Sequence, residues 1–114
     1  MEAKVNTEAM ADHYTLVGNE IYFSFPLITK LLTEYKINGT QVVMYLCVAD
    51  YLIGHKDQEN GNAITLDYIA ATTGINKTTV FANMKVLEEK QLIKRWIPQG
   101  TNKRTTRYDF KVIV

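Results

Sequence analysis

The sequence predicts an α+β fold with about four helices followed by a C-terminal β-hairpin. Up to Gln91, apolar residues recur at helical spacing in segments separated by glycine or asparagine. From Thr106 to Val114, every second residue is apolar or favours strands, which is the period of a half-buried strand. With 114 residues, of which 46% are hydrophobic, the chain has room for one compact domain.

The N-terminal part of the chain is expected to contribute a tail and a hairpin. Residues 1–13 are mixed polar and are predicted to be a mobile tail, so that residues 14–114 form the domain. In the segment YTLVGNEIYFSF, apolar and aromatic residues flank Gly18-Asn19, a pair that suits a tight turn. This segment predicts a short hairpin or an extended arm.

Two helices are predicted next. Pro26 suits a first helical turn, and its helix is expected to reach about Lys36 and to end at Asn38-Gly39. Its predicted inner side carries Leu27, Leu31, Leu32 and Tyr35. The segment from Thr40 to Gly54 has apolar residues around most of a helix, which predicts either a central helix or part of a dimer interface. After a polar loop, Ala63-Ile64 is expected to add a short strand.

The following segment predicts a helix-turn-helix. Thr65 or Asp67 can cap a short helix that Gly74 ends. Asn76 can then cap a second helix that runs to about Gln91. Two short helices joined by a glycine-containing turn form a helix-turn-helix, whose second helix can lie in the major groove of DNA.

The predicted second helix has an inner and an outer face. At about 100° per residue, Val80, Met84 and Leu87 cluster and should pack inward. The remaining circumference and the start of the helix supply the candidate DNA contacts Asn76, Lys77, Thr78, Thr79, Phe81, Ala82 and Lys85. Short side chains permit close approach to base edges, and lysines can bind phosphate or guanine. The alternative is an ordinary amphipathic helix with a solvated outer face.

A basic β-hairpin is predicted directly after this helix. Leu92-Ile93 begins its first strand, and residues 98–102 form its turn. The candidate DNA contacts on its tip and flanks are Lys94, Arg95, Thr101, Asn102, Lys103, Arg104 and Arg107. Such a hairpin can reach the phosphate backbone or the minor groove, where the negative potential favours arginine.

The net charge of +1 hides an uneven distribution. Residues 1–76 contain four basic and nine acidic side chains, a balance of −5, whereas residues 77–114 contain nine basic and three acidic ones, a balance of +6. A concentration of positive charge favours an anionic partner, although solvated charged faces are the simpler alternative. Its position beside the predicted helix-turn-helix favours a nucleic acid.

Residues 64–110 resemble a winged helix-turn-helix domain. The segment IAATTGINKTTVFANMKVLEEKQLIKR is similar to the short helix, glycine turn, Thr-Val helix and Leu-Ile strand of many bacterial DNA-binding proteins. The preceding FPLITKLL and VVMYLCVADYL resemble the first helices of these domains in phage and plasmid replication proteins and in transcription regulators. The resemblance implies that Lys77, Thr78, Phe81 and Ala82 face bases and that Lys103 and Arg104 lie in the wing. Gln91 stands where the family usually has glycine.

The motifs of other functional classes are missing from the sequence. It contains no Walker-type glycine loop, no HExxH metal motif and no GxSxG nucleophile motif. The single cysteine, Cys47, excludes an intramolecular disulfide and a cysteine-rich zinc site. His13 and His55 fall in the predicted tail and a loop. We therefore expect neither an enzyme nor a cofactor.

The residues together predict a protein that binds double-stranded DNA in the regulation, replication or transfer of a mobile element. A homodimer is expected, because one small domain reads few base pairs. The chain has no secretory signal and no apolar run near the roughly 20 residues that span a bilayer, so we expect a cytoplasmic protein without membrane contact. The rival hypothesis is a winged-helix module that binds a protein partner in a replication or conjugation assembly, with an exposed Phe81 as the anchor for that partner.

Overall fold

The computed structural model describes residues 7–55, 57, 63–96 and 107–110, and these residues have the predicted α+β class. They contain four α-helices and two β-hairpins in a layout consistent with a winged helix. The elements are a 3₁₀ helix (Thr7–His13), β1 (Tyr14–Val17), β2 (Glu20–Phe23), α1 (Phe25–Thr33), α2 (Gly39–Gly54), α3 (Leu66–Thr73), α4 (Lys77–Glu89), β3 (Ile93–Trp96) and β4 (Arg107–Phe110).

Residues 7–13 differ from the mobile tail that was expected there. They form the 3₁₀ helix, and the Met10 side chain is completely buried in the core. The Tyr45 hydroxyl of α2 donates to the Met10 sulfur over 3.5 Å, and the Ser24 backbone N–H donates to the His13 carbonyl over 2.8 Å. The apolar thioether of Met10 fills the space beside Tyr45. The mixed polar composition of residues 1–13 does not reveal this contact.

The N-terminal hairpin has the predicted form. β1 and β2 pair antiparallel with Val17 opposite Glu20, and Gly18-Asn19 makes the turn. Three of its large side chains are exposed, namely Leu16, Val17 and Tyr22. The Tyr22 hydroxyl donates to the Glu20 carboxylate, which raises the pKa of the tyrosine.

Helix α1 is shorter than predicted. Ser24 caps it by accepting a hydrogen bond from the Leu27 N–H, and it ends at Thr33 instead of Lys36. Leu27 and Leu31 lie in the core as expected, but Leu32 is 43% exposed. One residue along a helix turns the side chain by about 100°, so Leu32 cannot share the inner side with Leu31.

Asn38 begins α2 and does not end α1, which corrects the role predicted for Asn38-Gly39. The Asn38 side chain accepts from the Gln41 N–H, and the Gln41 side chain accepts from the Asn38 N–H, so the two residues form a capping box. Helix α2 is buried on several sides and is the central helix, the first of the two predicted alternatives. Its fully buried side chains are Met44, Tyr45, Val48, Ala49 and Leu52.

Ala63-Ile64 is not a strand in the structure, contrary to prediction. The Ile64 side chain is nevertheless buried in the core, directly before Thr65 caps α3. An apolar residue beside a helix N-cap can pack into the core without any strand partner, and this explains the apolar pair.

The end of α4 depends on a left-handed backbone conformation at Gln91. The helix ends at Glu89, and Gln91 has a φ of 61°. The Leu92 N–H then donates to the Leu87 carbonyl over 3.0 Å, which leads the chain into β3. Glycine would adopt this conformation more readily, because it has no Cβ to oppose it.

We therefore expect Gln91→Gly to stabilise the protein. Removing the Cβ relieves the left-handed strain, and after the entropy cost of glycine the net gain should be up to about 1 kcal/mol. Lys90→Gly is the matched control, because Lys90 has a right-handed φ of −76° and glycine there should cost about 0.5–1 kcal/mol. Thermal unfolding measures both, and a lower Tm for Gln91→Gly would contradict the explanation.

Candidate nucleic-acid interface

Helices α3 and α4 and the turn between them form the predicted helix-turn-helix. Gly74 ends α3 with a φ of 75°, and its N–H donates to the Ala70 carbonyl over 2.9 Å. The Thr73 hydroxyl accepts from the Ile75 N–H over 3.2 Å. Asn76 then caps α4, because its side-chain oxygen accepts from the Thr78 N–H over 2.8 Å. The turn is thus fixed by hydrogen bonds at each step.

The inner face of α4 is the predicted one. Val80, Met84 and Leu87 are buried, with at most 4% of each side chain exposed. They belong to one core cluster with α2 and α3, and both of these helices contact α4. Burial of three apolar side chains on one stripe sets the rotation of the helix and so determines which residues face outward.

A polar link between α2 and α4 is the feature that sequence reasoning missed. Gln41 is buried, and its Nε2 donates to Asn83 Oδ1 over 2.9 Å. Asn83 Nδ2 in turn donates to the Thr79 carbonyl over 2.8 Å. The Asn-to-Gln spacing before α2 is a local signal for the capping box, but no local signal pairs Gln41 with a residue 42 positions later.

Aromatic rings join the end of α2 to α3. The Tyr51 ring stacks on His55 with centroids 4.1 Å apart, and it meets Tyr68 of α3 edge-on at 4.9 Å. His55 also has its Nδ1 2.8 Å from the Tyr51 carbonyl. These contacts hold the first helix of the helix-turn-helix against the central helix.

The outer face of α4 presents every candidate residue predicted for it to solvent. The exposed members are Asn76, Lys77, Thr78, Thr79, Phe81, Ala82 and Lys85. Among them, Phe81 is 46% exposed although it is fully apolar. Asn76 is occupied as the cap of α4, so its side-chain oxygen is already used. The remaining six are free of the core.

Two lysines of this face are oriented by neighbouring side chains, which the sequence did not reveal. Lys77 Nζ lies 2.8 Å from Asp67 Oδ1, across the turn between α3 and α4. Lys85 Nζ lies 4.4 Å above the Phe81 ring, a cation–π contact between successive turns of α4. The outer face therefore has one positive group at Lys77 and another at Lys85, with Thr78, Phe81 and Ala82 exposed between them.

The C-terminal hairpin is present as two paired strands. β3 and β4 are antiparallel, with Lys94 opposite Asp109 and Trp96 opposite Arg107. Lys94 and Arg95 are exposed, and adjacent strand residues point to opposite faces of the hairpin. Of the other candidate residues in the predicted wing, Thr101, Asn102, Lys103 and Arg104 lie outside the described residues.

The described part of the chain contains Cys47 and the two histidines, His13 and His55. It holds no group of three or more His, Cys, Asp or Glu side chains that could bind a metal ion. Burial, with a smaller effect of the Asp50 charge, raises the pKa of the Cys47 thiol to about 11. Cys47 therefore remains protonated at neutral pH and is a weak nucleophile. No helix within these residues is long and apolar enough to cross a membrane.

The family of the chain follows from its sequence match to a class of replication proteins. Residues 15–101 match the family described as Firmicute plasmid replication protein (RepL). This is about three quarters of the chain, so the protein belongs to that family. The matched range begins in β1 and contains the entire helix-turn-helix and β3. No curated protein and no solved structure matched the chain.

The link between Gln41 and Asn83 makes a testable contribution to stability. In a double-mutant cycle of Gln41→Ala and Asn83→Ala, we expect a coupling of about 1 kcal/mol in the free energy of unfolding, as for one part-buried hydrogen bond. The cycle cancels the loss of the capping box, which both Gln41→Ala and the double mutant suffer. A parallel cycle of Gln41→Ala and Asn76→Ala, two residues without a shared bond, should be additive. Additive effects in both cycles would contradict the link.

Proposed function

We propose that this replication protein binds double-stranded DNA with α4 in the major groove. The observation that carries the proposal is the outer face of α4, where lysines flank a short-chain surface at Thr78 and Ala82. Short side chains on the outer face let the helix backbone approach the base edges closely, and lysines beside them can bind phosphate or guanine. The buried inner face leaves this outer side available as a single surface.

Positive charge supplies the attraction to DNA in this proposal. From the start of α4 to the end of β3, five basic side chains are exposed, namely Lys77, Lys85, Lys90, Lys94 and Arg95. Contacts of Lys and Arg with phosphates release bound counterions and give affinity without regard to sequence. Contacts of Thr78, Phe81 and Ala82 with base edges or a thymine methyl would add the sequence preference.

The C-terminal hairpin is proposed to contact the DNA backbone or the minor groove beside α4. It follows α4 after three residues that lead into β3, and both Lys94 and Arg95 are exposed on it. In this proposal the four predicted wing residues, Thr101, Asn102, Lys103 and Arg104, extend that contact. The protein then acts by binding and not by catalysis, in the cytoplasm and without a cofactor.

We also propose that the protein binds DNA as a homodimer. The exposed apolar side chains Leu16, Val17 and Tyr22 of the hairpin, with Phe25 at 75% exposure, are the first candidate interface. The second candidate interface is helix α2, on which Val43 is 49% exposed. Neither surface includes the outer face of α4, so a dimer through either one leaves that face open.

The dependence of binding on salt tests the DNA proposal. If about five or six basic groups contact phosphates, the logarithm of affinity for a duplex should fall with the logarithm of salt concentration with a slope near −5. Lys85→Ala should flatten the slope by about 0.9 and weaken binding to every sequence. Lys36→Ala, which removes an exposed lysine outside the helix-turn-helix, is the control and should leave the slope unchanged. Affinity that does not respond to salt would refute the proposal.

Phe81 separates DNA binding from the rival function, a protein-interaction module. An exposed aromatic side chain on a helix can anchor a partner protein, and this observation favours the rival. If Phe81 contacts DNA, Phe81→Ala should lower affinity or relax discrimination at a thymine, while light scattering reports an unchanged mass. Leu32→Ala, which truncates an exposed apolar side chain on α1 outside α4 and both candidate interfaces, is the control and should change neither the DNA affinity nor the mass. A lower mass for Phe81→Ala with unchanged DNA affinity would favour the rival.

A further inference from the structure

The ion pair between Asp67 and Lys77 joins the two helices of the helix-turn-helix on the side proposed to face DNA. Asp67 lies in the first turn of α3, and Lys77 is the first residue of α4. The two side chains meet at 2.8 Å although they are 77% and 60% exposed. An exposed pair of this kind contributes little to the stability of a fold.

The pair changes what Lys77 offers to DNA. A free lysine at the start of a helix is a mobile point charge that contacts phosphates of any sequence. With Asp67 bound, one of the three donors of the ammonium group is directed to the carboxylate and two remain. The carboxylate also places a negative charge beside the phosphates and cancels the attraction of Lys77 at longer range.

The same pair retains its hydrogen-bonding capacity toward base edges. The two remaining donors of the Lys77 ammonium group can still reach the O6 and N7 acceptors of guanine. Such a pair loses attraction to phosphate but not its ability to contact bases.

We propose that Asp67 is a specificity-determining residue that restrains Lys77 and thereby weakens unselective binding more than selective binding. The proposal rests on the DNA-binding function proposed above. Asp67 acts through Lys77 in this proposal. A negative charge elsewhere on the protein should therefore not have the same effect on specificity. The proposal also assigns a role in DNA recognition to a residue of α3, a helix for which no base contact was predicted.

The test compares Asp67→Asn with Asp50→Asn, which makes the same change of charge. Asp50 is exposed on α2 and makes no ion pair among the described residues. Two probes are used, a duplex selected from a random library by the unmodified protein and a scrambled duplex of the same composition. Asp67→Asn should bind the scrambled duplex about fivefold more tightly at physiological salt, with a slope steeper by about 0.9, as expected for one more phosphate contact.

The selected duplex should gain less, so the ratio of the two affinities should fall for Asp67→Asn and stay constant for Asp50→Asn. In a Lys77→Ala background, Asp67→Asn should no longer change the ratio. An unchanged ratio, or equal effects of Asp67→Asn and Asp50→Asn, would overturn the proposal while DNA binding itself stands. If the unmodified protein enriches no duplex and binds neither probe, the DNA-binding function fails and this inference fails with it.

Discussion

The burial of one stripe of α4 against the central helix is the constraint on which the rest of the structure depends. Val80, Met84 and Leu87 leave water together with the side chains of α2, and burial of apolar surface is the dominant favourable contribution to folding. Because the three residues lie on one side, their burial also fixes the rotation of α4. This rotation determines which positions are exposed on the opposite side. The packing of the core therefore decides which residues form the candidate interface.

Directional contacts at the start and the middle of α4 complete what apolar packing cannot supply. Packing tolerates small shifts along a helix axis, whereas the hydrogen bond from Gln41 to Asn83 and the cap at Asn76 fix the position of α4 along its length. The ion pair between Lys77 and Asp67 crosses the turn and joins the start of α4 to α3. A helix held in this way keeps its outer side chains in a constant arrangement, and binding then requires less ordering of the protein.

Much of the fold could be predicted because its signals are local. Asn76, Gly74 and Thr65 act where the sequence placed them, since a cap or a left-handed turn depends on a few neighbouring residues. The predictions were wrong where contacts between residues distant in the sequence determine the structure. Met10 is in the core only because Tyr45 lies beside it, and Ile64 is buried without a strand partner. Asn38 suited both the end of one helix and the start of the next, and Gln41 decided between them. For the site, periodicity identified the outer face, but it could not show that Asp67 restrains Lys77.

The claim that unites these features is that the outer face of α4 meets the major groove of DNA. An NMR titration of the labelled protein with a duplex tests it most directly, because each residue reports on its own surroundings. Duplex DNA is expected to shift the amide and methyl signals of Thr78 and Ala82, while those of Leu16 and Val17 on the N-terminal hairpin remain in place. Shifts confined to the hairpin, with Thr78 and Ala82 unmoved at saturation, would contradict it.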